Sequence, residues 1–475
     1  MTDYEARFRA SPFLVEPTSA RPKLHLTPPK NWMNDPNGPF YMDGLWHLFY
    51  QHHPDGMTWG PMHWGHATSR DLLHWEHEEI ALYPDALGTI FSGCVVRDRH
   101  NTSELFDAGF ENGLVALFSF DSQAQGIATS TDGGYTWTKF SGNPILPAIK
   151  KDFRDPKVFW CPISERWIMA IAADPECQFY SSSNLIDWTL ESGFSDGPSK
   201  GVWEVPDLFP LTAPDGSTKW ILLISIDDHA CAGGSGVMYF IGQWTGSRFL
   251  NDEPGRFFWL DHGPDNYAGT TFGEAPEGRR VYVGWMLNWA YANKTPQLDY
   301  RGTMTVPRDL FLTKGADGSL RLGSSPVNLS PAFQDQTRQQ LDLNPCSEQA
   351  LEVSQTTFAL TLEASSLSST VKVLLDPYPD HDRATEITFD PTAQAITVRR
   401  AQGVKEMFET AVLPAFASTE SALDVLILVD EGLLELFDQI TGQTLSLVTY
   451  SGQRGGGSMI IQSEQAQGVT LTLRQ

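Results

Sequence analysis

Short apolar runs that alternate with polar residues fill the chain from end to end, and no long helical stripe interrupts them. His47-Leu48-Phe49-Tyr50, Leu114-Val115-Ala116-Leu117-Phe118, Trp167-Ile168-Met169-Ala170-Ile171, Trp220-Ile221-Leu222-Leu223-Ile224 and Val281-Tyr282-Val283-Gly284-Trp285 are β-type runs bounded by turn residues. Three of these units end alike. His66-Ala67-Thr68-Ser69-Arg70-Asp71-Leu72-Leu73-His74-Trp75 resembles Ile127 to Trp137 and Phe179 to Trp188, and a weaker echo ends in Gly242-Gln243-Trp244. Each copy reads as a strand, a polar turn and a tryptophan that opens the next strand. The tryptophans lie 62, 51 and 56 residues apart, a period that predicts one antiparallel sheet per repeat. With a further unit holding Tyr282 to Trp285, the expectation is a five-bladed β-propeller over residues 1–335, its tryptophans packed between blades.

After Pro326 tryptophan disappears and polar stretches such as Gln334 to Gln340 intervene. More alternating strands follow, among them Val371 to Leu375, Val425 to Val429 and Leu433 to Phe437, the pattern of a β-sandwich. The fold class is therefore all-β, a five-bladed β-propeller followed by a C-terminal β-sandwich. The sandwich is expected over 346–475, behind a linker at 336–346.

Composition narrows the partners. A chain of 475 residues exceeds one ordinary core, and 41% hydrophobic content with 15 Trp, 27 Phe and 13 Tyr describes a packed globular protein. A formal charge of −25 argues against nucleic acid and anionic membranes, which need clustered Lys and Arg. A neutral substrate such as a sugar suits that balance. Five scattered cysteines and a charged segment, Met1 to Arg7, without an apolar signal region read as cytoplasmic; a chain trimmed of its leader would look the same and be secreted. No mark of oligomeric state is visible.

Three acids sit in stiff settings. Trp32-Met33-Asn34-Asp35-Pro36-Asn37-Gly38 holds an aspartate at a forced bend, fixed by proline and freed again by glycine. Asp152-Phe153-Arg154-Asp155-Pro156-Lys157 and Trp203-Glu204-Val205-Pro206-Asp207 repeat the theme, each leading into an apolar strand. On the innermost strands of blades one, three and four, the acids would meet at one end of the axis. Like charges at short range are costly as structure. They suit glycosyl transfer, which needs one ionised and one protonated carboxyl flanking the bond.

These three segments resemble the acidic motifs of glycoside hydrolase family 32, the β-fructofuranosidases, invertases, exo-inulinases and levanases. The resemblance spans nearly the whole chain and implies an exo-acting, retaining enzyme that needs no cofactor and acts on sucrose or on inulin- or levan-type fructans. It implies Asp35 as nucleophile, Glu204 as acid and then base, and Asp155 as a holder of fructose hydroxyls beside Arg154. Glu204 must stay protonated to donate, so burial and anionic neighbours should raise its pKa, whereas hydrogen bonds should hold Asp35 ionised. Asn34, Gln51, Trp59, Phe91, Ser92 and Trp285 carry over as the fructose pocket, with Trp59 and Trp285 as walls. Val205 departs from the cysteine often found after the acid glutamate.

Rival readings differ in chemistry. Eight of the 12 histidines fall between His25 and His77, but no His-Glu-x-x-His or finger-type cysteine pair appears, so the expectation is hydrogen-bonded histidines and no metal. A catalytically silent fructan-binding lectin would lack one or more of the acids. A fructosyltransferase would use the same residues and pass the sugar to another sugar.

Overall fold

The computed structural model describes residues 21–475, apart from 296–298, 316, 334, 346–347, 376–383, 401–407, 416–420, 450–456 and 466. The segment Met1 to Arg7 and Cys346 thus lie outside the described residues. Among the described residues regular structure is strand, save short 3-10 turns, and no helix is long and apolar enough to cross a membrane.

Seven sheets organise the described chain. Five, of four or five strands each, lie between Asn31 and Pro326, and two six-stranded sheets lie between Gln336 and Arg474. The first strands of the five smaller sheets are Asn31–Met42, Ile90–Arg97, Phe153–Cys161, Trp203–Thr212 and Tyr267–Thr271. Each touches the next, and the last touches the first, so they form a closed ring. The cores follow the same order. Phe49 and Trp64 of the first sheet pack on Val95 and Phe118 of the second, and Val115 and Leu117 pack on Met169 and Trp167 of the third. Ile168 and Phe179 meet Leu222 and Ile224 of the fourth, and Ile221 and Leu223 meet Tyr282 and Leu310 of the fifth. Trp46 and Leu48 then join Phe272 and Val283 to close the circle. Strands covered on both faces have to be apolar almost throughout, as Leu114–Phe120 is, which is why these segments read as continuous apolar runs.

Closure is also made by hydrogen bonds. The late segment Tyr300–Arg301 pairs in parallel with Asn31 and Trp32, adding a strand from the end of the ring to its first sheet.

The repeated turns are chemically alike. Asp71, Asp132 and Asn184 each accept backbone N–H groups through Oδ1, a side-chain turn suited to Asp and Asn. In each, the following tryptophan donates Nε1 to the carbonyl three residues earlier: Trp75 to Leu72, Trp137 to Gly134 and Trp188 to Leu185. Trp137 stands edge-on to Phe49 of the preceding sheet, centroids 5.8 Å apart, so it packs between sheets.

The two six-stranded sheets share one core, with Phe358, Leu360 and Ile427 from one and Val373, Ile387 and Ile461 from the other. Residues 336–346, expected as a linker, are largely strand instead. Gln336–Leu343 forms an edge strand paired with Gln467–Arg474. An edge strand with one face to solvent alternates polar with apolar, and only Leu341 and Leu343 of this one reach the core.

A buried charged network ties this part to the ring. Arg308, fully buried, donates to Asp261 Oδ2 at 2.8 Å and through Nε to Glu435 Oε2 at 3.1 Å. His25, also buried, bridges Asp430 and Glu435 at 2.8 Å on each ring nitrogen. Burial alone would push His25 down, but the two carboxylates lift it to about 9.

Candidate active site

All five first strands carry the same irregularity. Asn34 and Asp35 together face only Gln51 on the neighbouring strand, and Phe91 and Ser92 face only Ser119. Asp155 and Pro156 face Ile171, Val205 and Pro206 face Ile224, and Ala268 and Gly269 face Gly284. Two residues against one is a β-bulge, which bends the strand and redirects its side chains. Asp155, Val205 and Ala268 take φ of 64°, 45° and 51°, left-handed values that L residues adopt uncommonly. The bulges lie at one level of the ring, and the sequence-predicted acids lie in them or beside them.

Asp35 is gripped at both oxygens. Asn34 Nδ2 donates to Oδ1 at 2.9 Å and Ser92 Oγ donates to Oδ2 at 2.6 Å. Trp32 Nε1 donates to Asn34 Oδ1 at 2.7 Å, which fixes the amide so that its NH2 faces the acid. These bonds favour the anion, yet burial outweighs them and, with a push from the Glu204 charge, lifts Asp35 to about 6. The hydrogen bonds expected to hold Asp35 ionised are thus present, but desolvation is the larger effect.

Glu204 is held from two sides. Arg154 donates to Oε1 through Nε at 3.0 Å and Nη2 at 2.7 Å, and the Tyr267 hydroxyl donates to Oε2. Arg154 is itself steered by Asp152 at 2.7 Å and Gln123 at 3.2 Å. Burial would lower Arg154, but the Glu204 and Asp155 charges raise it, so it remains a cation. Tyr267 is raised well above an ordinary phenol, first by burial and then by Glu204, and stays a donor.

Asp155 is almost fully enclosed, at 5% exposure. Its Oδ2 accepts the Val205 N–H at 3.1 Å, and its own N–H donates to Ser119 Oγ at 3.0 Å. Burial raises its pKa, Arg154 opposes the rise, and the charges of Glu204 and Asp35 add to it. The three acids, far apart in sequence, therefore sense one another's charge.

The remaining expected residues divide. Ser92, Asn34 and Arg154 contact the acids directly. Gln51 is buried opposite the first bulge, its Nε2 without a partner among the described residues. Trp59 is 46% exposed and edge-on to Phe91, centroids 5.8 Å apart, so both stand at the rim. Trp285, expected as a wall, has no exposed surface. It packs among Trp32, Tyr267 and Trp289, and supports the site from behind.

Sequence reading missed Tyr267, Gln123, Asp152 and Ser119 as parts of the site. Asp152 opens the second acidic segment without standing out there, and no local motif marks Tyr267, Gln123 or Ser119; each matters only through the neighbour the fold gives it. The histidines expected near the site are hydrogen-bonded: His52 Nδ1 meets Trp32 O at 2.8 Å, and His47 pairs with His66 at 3.1 Å.

Comparison with known proteins places these features in a family. A family model described as the glycosyl hydrolases family 32 N-terminal domain matches residues 25–323, and its C-terminal counterpart matches 328–473. A levanase of Bacillus subtilis is 45% identical over 344 residues, which is 70% of this chain and 50% of that protein. An invertase of Schizosaccharomyces pombe is 35% identical over 462 residues, covering 88% of this chain and 78% of the other. The chain thus spans about half the length of the levanase. In structure, a fructofuranosidase from Schwanniomyces occidentalis complexed with fructosylnystose superposes with a TM-score of 0.88 at 28% identity, covering 97% of this chain and 98% of that one.

Proposed function

This chain belongs to glycosyl hydrolase family 32, and on that premise we propose that it is an exo-acting, retaining β-fructofuranosidase that removes terminal fructose from sucrose and β-linked fructans. Relatives named levanase, invertase and exo-inulinase support the substrate class. The fold reading that goes with it is a five-bladed propeller around the closed ring of first strands, followed by a sandwich of two sheets; the cyclic order of contacts and shared cores supports the blade count.

In this reading Asp35, as the anion, attacks the anomeric carbon of a fructofuranosyl unit while Glu204 delivers a proton to the departing oxygen. A covalent fructosyl-enzyme forms. Glu204 then takes a proton from water, which displaces Asp35, and two inversions give net retention. Asp155 and Arg154 grip fructose hydroxyls and favour the positive charge that develops on the ring. Asn34 and Ser92 orient Asp35 and disperse its charge. Gln51 offers its amide, and Trp59 and Phe91 provide apolar edges at the rim where the leaving sugar sits.

The observation that carries this is the placement of Asp35, Asp155 and Glu204 in or beside bulges at one level of the ring, with Arg154 reaching both Glu204 at 2.7 Å and Asp155 at 4.0 Å and Asp155 accepting the N–H of the residue after Glu204. The test is NMR of the first product from sucrose, inulin and levan. Fructose released in the β-anomeric form one unit at a time is expected. Release of the α-anomer, or of internal oligomers, would remove the proposal.

A further inference from the structure

Past the bulges, the first strands enclose a second cavity of about 390 Å³, within the size range of small-ligand sites. Its walls begin two to four residues beyond the site residues, at Gly38, Cys94, Lys157, Asp207 and Thr271. At ~3.3 Å per residue this is roughly 10 Å along the ring from the acids. Neither Asp35, Asp155 nor Glu204 lines it.

The charged groups around it are unevenly matched. Lys157 meets Asp207 Oδ2 at 3.2 Å and donates to Thr270 Oγ1 at 2.8 Å and Thr271 O at 2.6 Å. Arg99 pairs with Glu274. Asp98 accepts the N–H groups of Thr102 at 2.8 Å and Ser103 at 2.9 Å. Arg280 is different. Its guanidinium lies over the Phe209 ring at 5.0 Å, and its buried Nε has no hydrogen-bond partner among the described residues. Burial holds its pKa down, with the charge of Asp207 as the compensating influence. Arg97, also on the wall, bonds only neutral acceptors among the described residues, Glu111 O at 3.3 Å and the Asn112 amide.

A buried guanidinium N–H without an acceptor, such as this Nε, is costly. The planar guanidinium fork fits carboxylate and phosphate oxygens at two points. Asp207 Oδ1 is likewise buried without a hydrogen-bond partner among the described residues, but the lining carries four cations (Arg97, Arg99, Lys157, Arg280) against three acids (Asp98, Asp207, Glu274), a surplus of one positive charge in a chain of net charge −25.

We propose that this axial cavity binds a small oxyanion, a phosphate or carboxylate on a solute no larger than a monosaccharide phosphate, with Arg280 as its two-point anchor and Arg97 as a second positive charge. The interaction should weaken as salt rises. The site is separate from the hydrolytic one and does not depend on the function proposed above.

The test is calorimetric titration of the full-length protein with inorganic phosphate, a hexose phosphate and citrate, each in low salt. Saturable binding of at least one is expected, and the preferred one identifies the anion class. Arg280→Met should weaken it by roughly tenfold or more, and Arg97→Gln should weaken it less, with sucrose hydrolysis unchanged in both. Should Arg280→Met fail to fold, Arg97→Gln alone decides. Absence of saturation by all three below about 10 mM, or wild-type affinity in the folded variants, would overturn the proposal.

Discussion

Ser92 donates a 2.6 Å hydrogen bond to Oδ2 of Asp35 across the joint between the first and second sheets. The bond favours the anion in a setting where burial disfavours it. Ser92→Ala removes that support, so Asp35 rises above about 6. The acid limb of kcat/KM is expected to move up by roughly one pH unit, from a charged hydrogen bond of about 1.5 kcal/mol. Parallel pH profiles of the two proteins on sucrose check this; superimposed acid limbs would exclude Asp35 as their source.

Asp35→Ala and Glu204→Ala should both fold and both lose turnover, by different routes. Loss of the proton donor should cost roughly 10²–10⁴-fold on sucrose. With a fructoside whose leaving group needs no proton, Glu204→Ala should recover much of the first step, whereas Asp35→Ala should not. Thermal unfolding of each variant separates loss of chemistry from loss of fold.

Arg154 reaches one oxygen of Glu204 with two nitrogens. A lysine keeps the charge but offers a point, not a fork. Arg154→Lys should therefore lower kcat/KM by about tenfold or more, the scale of one charged hydrogen bond, while leaving the denaturation midpoint close to wild type. Activity at the wild-type level would show that charge alone suffices there.

Glu435 serves both Arg308 and His25 in the buried network between ring and C-terminal sheets. Glu435→Gln leaves two cations short of a counter-charge and should cost about 3–5 kcal/mol of stability, measured by urea denaturation. A shift below 1 kcal/mol, about the worth of a surface pair, would show that the network holds little of the interface.

The same network sets a pH dependence. His25 is raised from 6.5 to about 9, so its contribution is fully present below 6.5 and lost as pH climbs through 9. Asp430 is lowered through His25, and Glu435 through Arg308 and His25, against the opposing effect of burial, so their contribution is present above the ordinary carboxylate range and lost in acid. Unfolding midpoints should decline from pH 7 to 9 in the wild type and decline less in His25→Gln. Equal alkaline slopes would rule His25 out.

How far the sequence led depended on whether a feature is local. Period-two alternation and the Ser-x-Asp or Ser-x-Asn turns with their tryptophans are written in consecutive residues, so the strands, the repeat and the change of texture after Pro326 could be read directly. The three acids were visible because proline and glycine mark their bends. The bulges were not, since a bulge is defined by the strand opposite, as Gln51 opposite Asn34 and Asp35 illustrates. Tyr267 lies 63 positions from Glu204 and becomes part of the site only when the fourth and fifth sheets meet. Trp285 failed in the other direction: an indole beside a site looks like a wall until packing shows it enclosed. The pairing of Asp261, Arg308 and Glu435 was not legible because each partner sits on a different segment.

The parallel pairing of Asn31 and Trp32 with Tyr300 and Arg301 bears on how the molecule is made. In a growing chain the Asp35 strand gains its last neighbour only about 270 residues after it is itself made, the separation of Asn31 from Tyr300. Contacts so distant in sequence form slowly, and unpaired strand edges wait in the meantime. Maturation of hydrolytic competence should therefore trail synthesis, with the cell's chaperones guarding the open circle until it shuts.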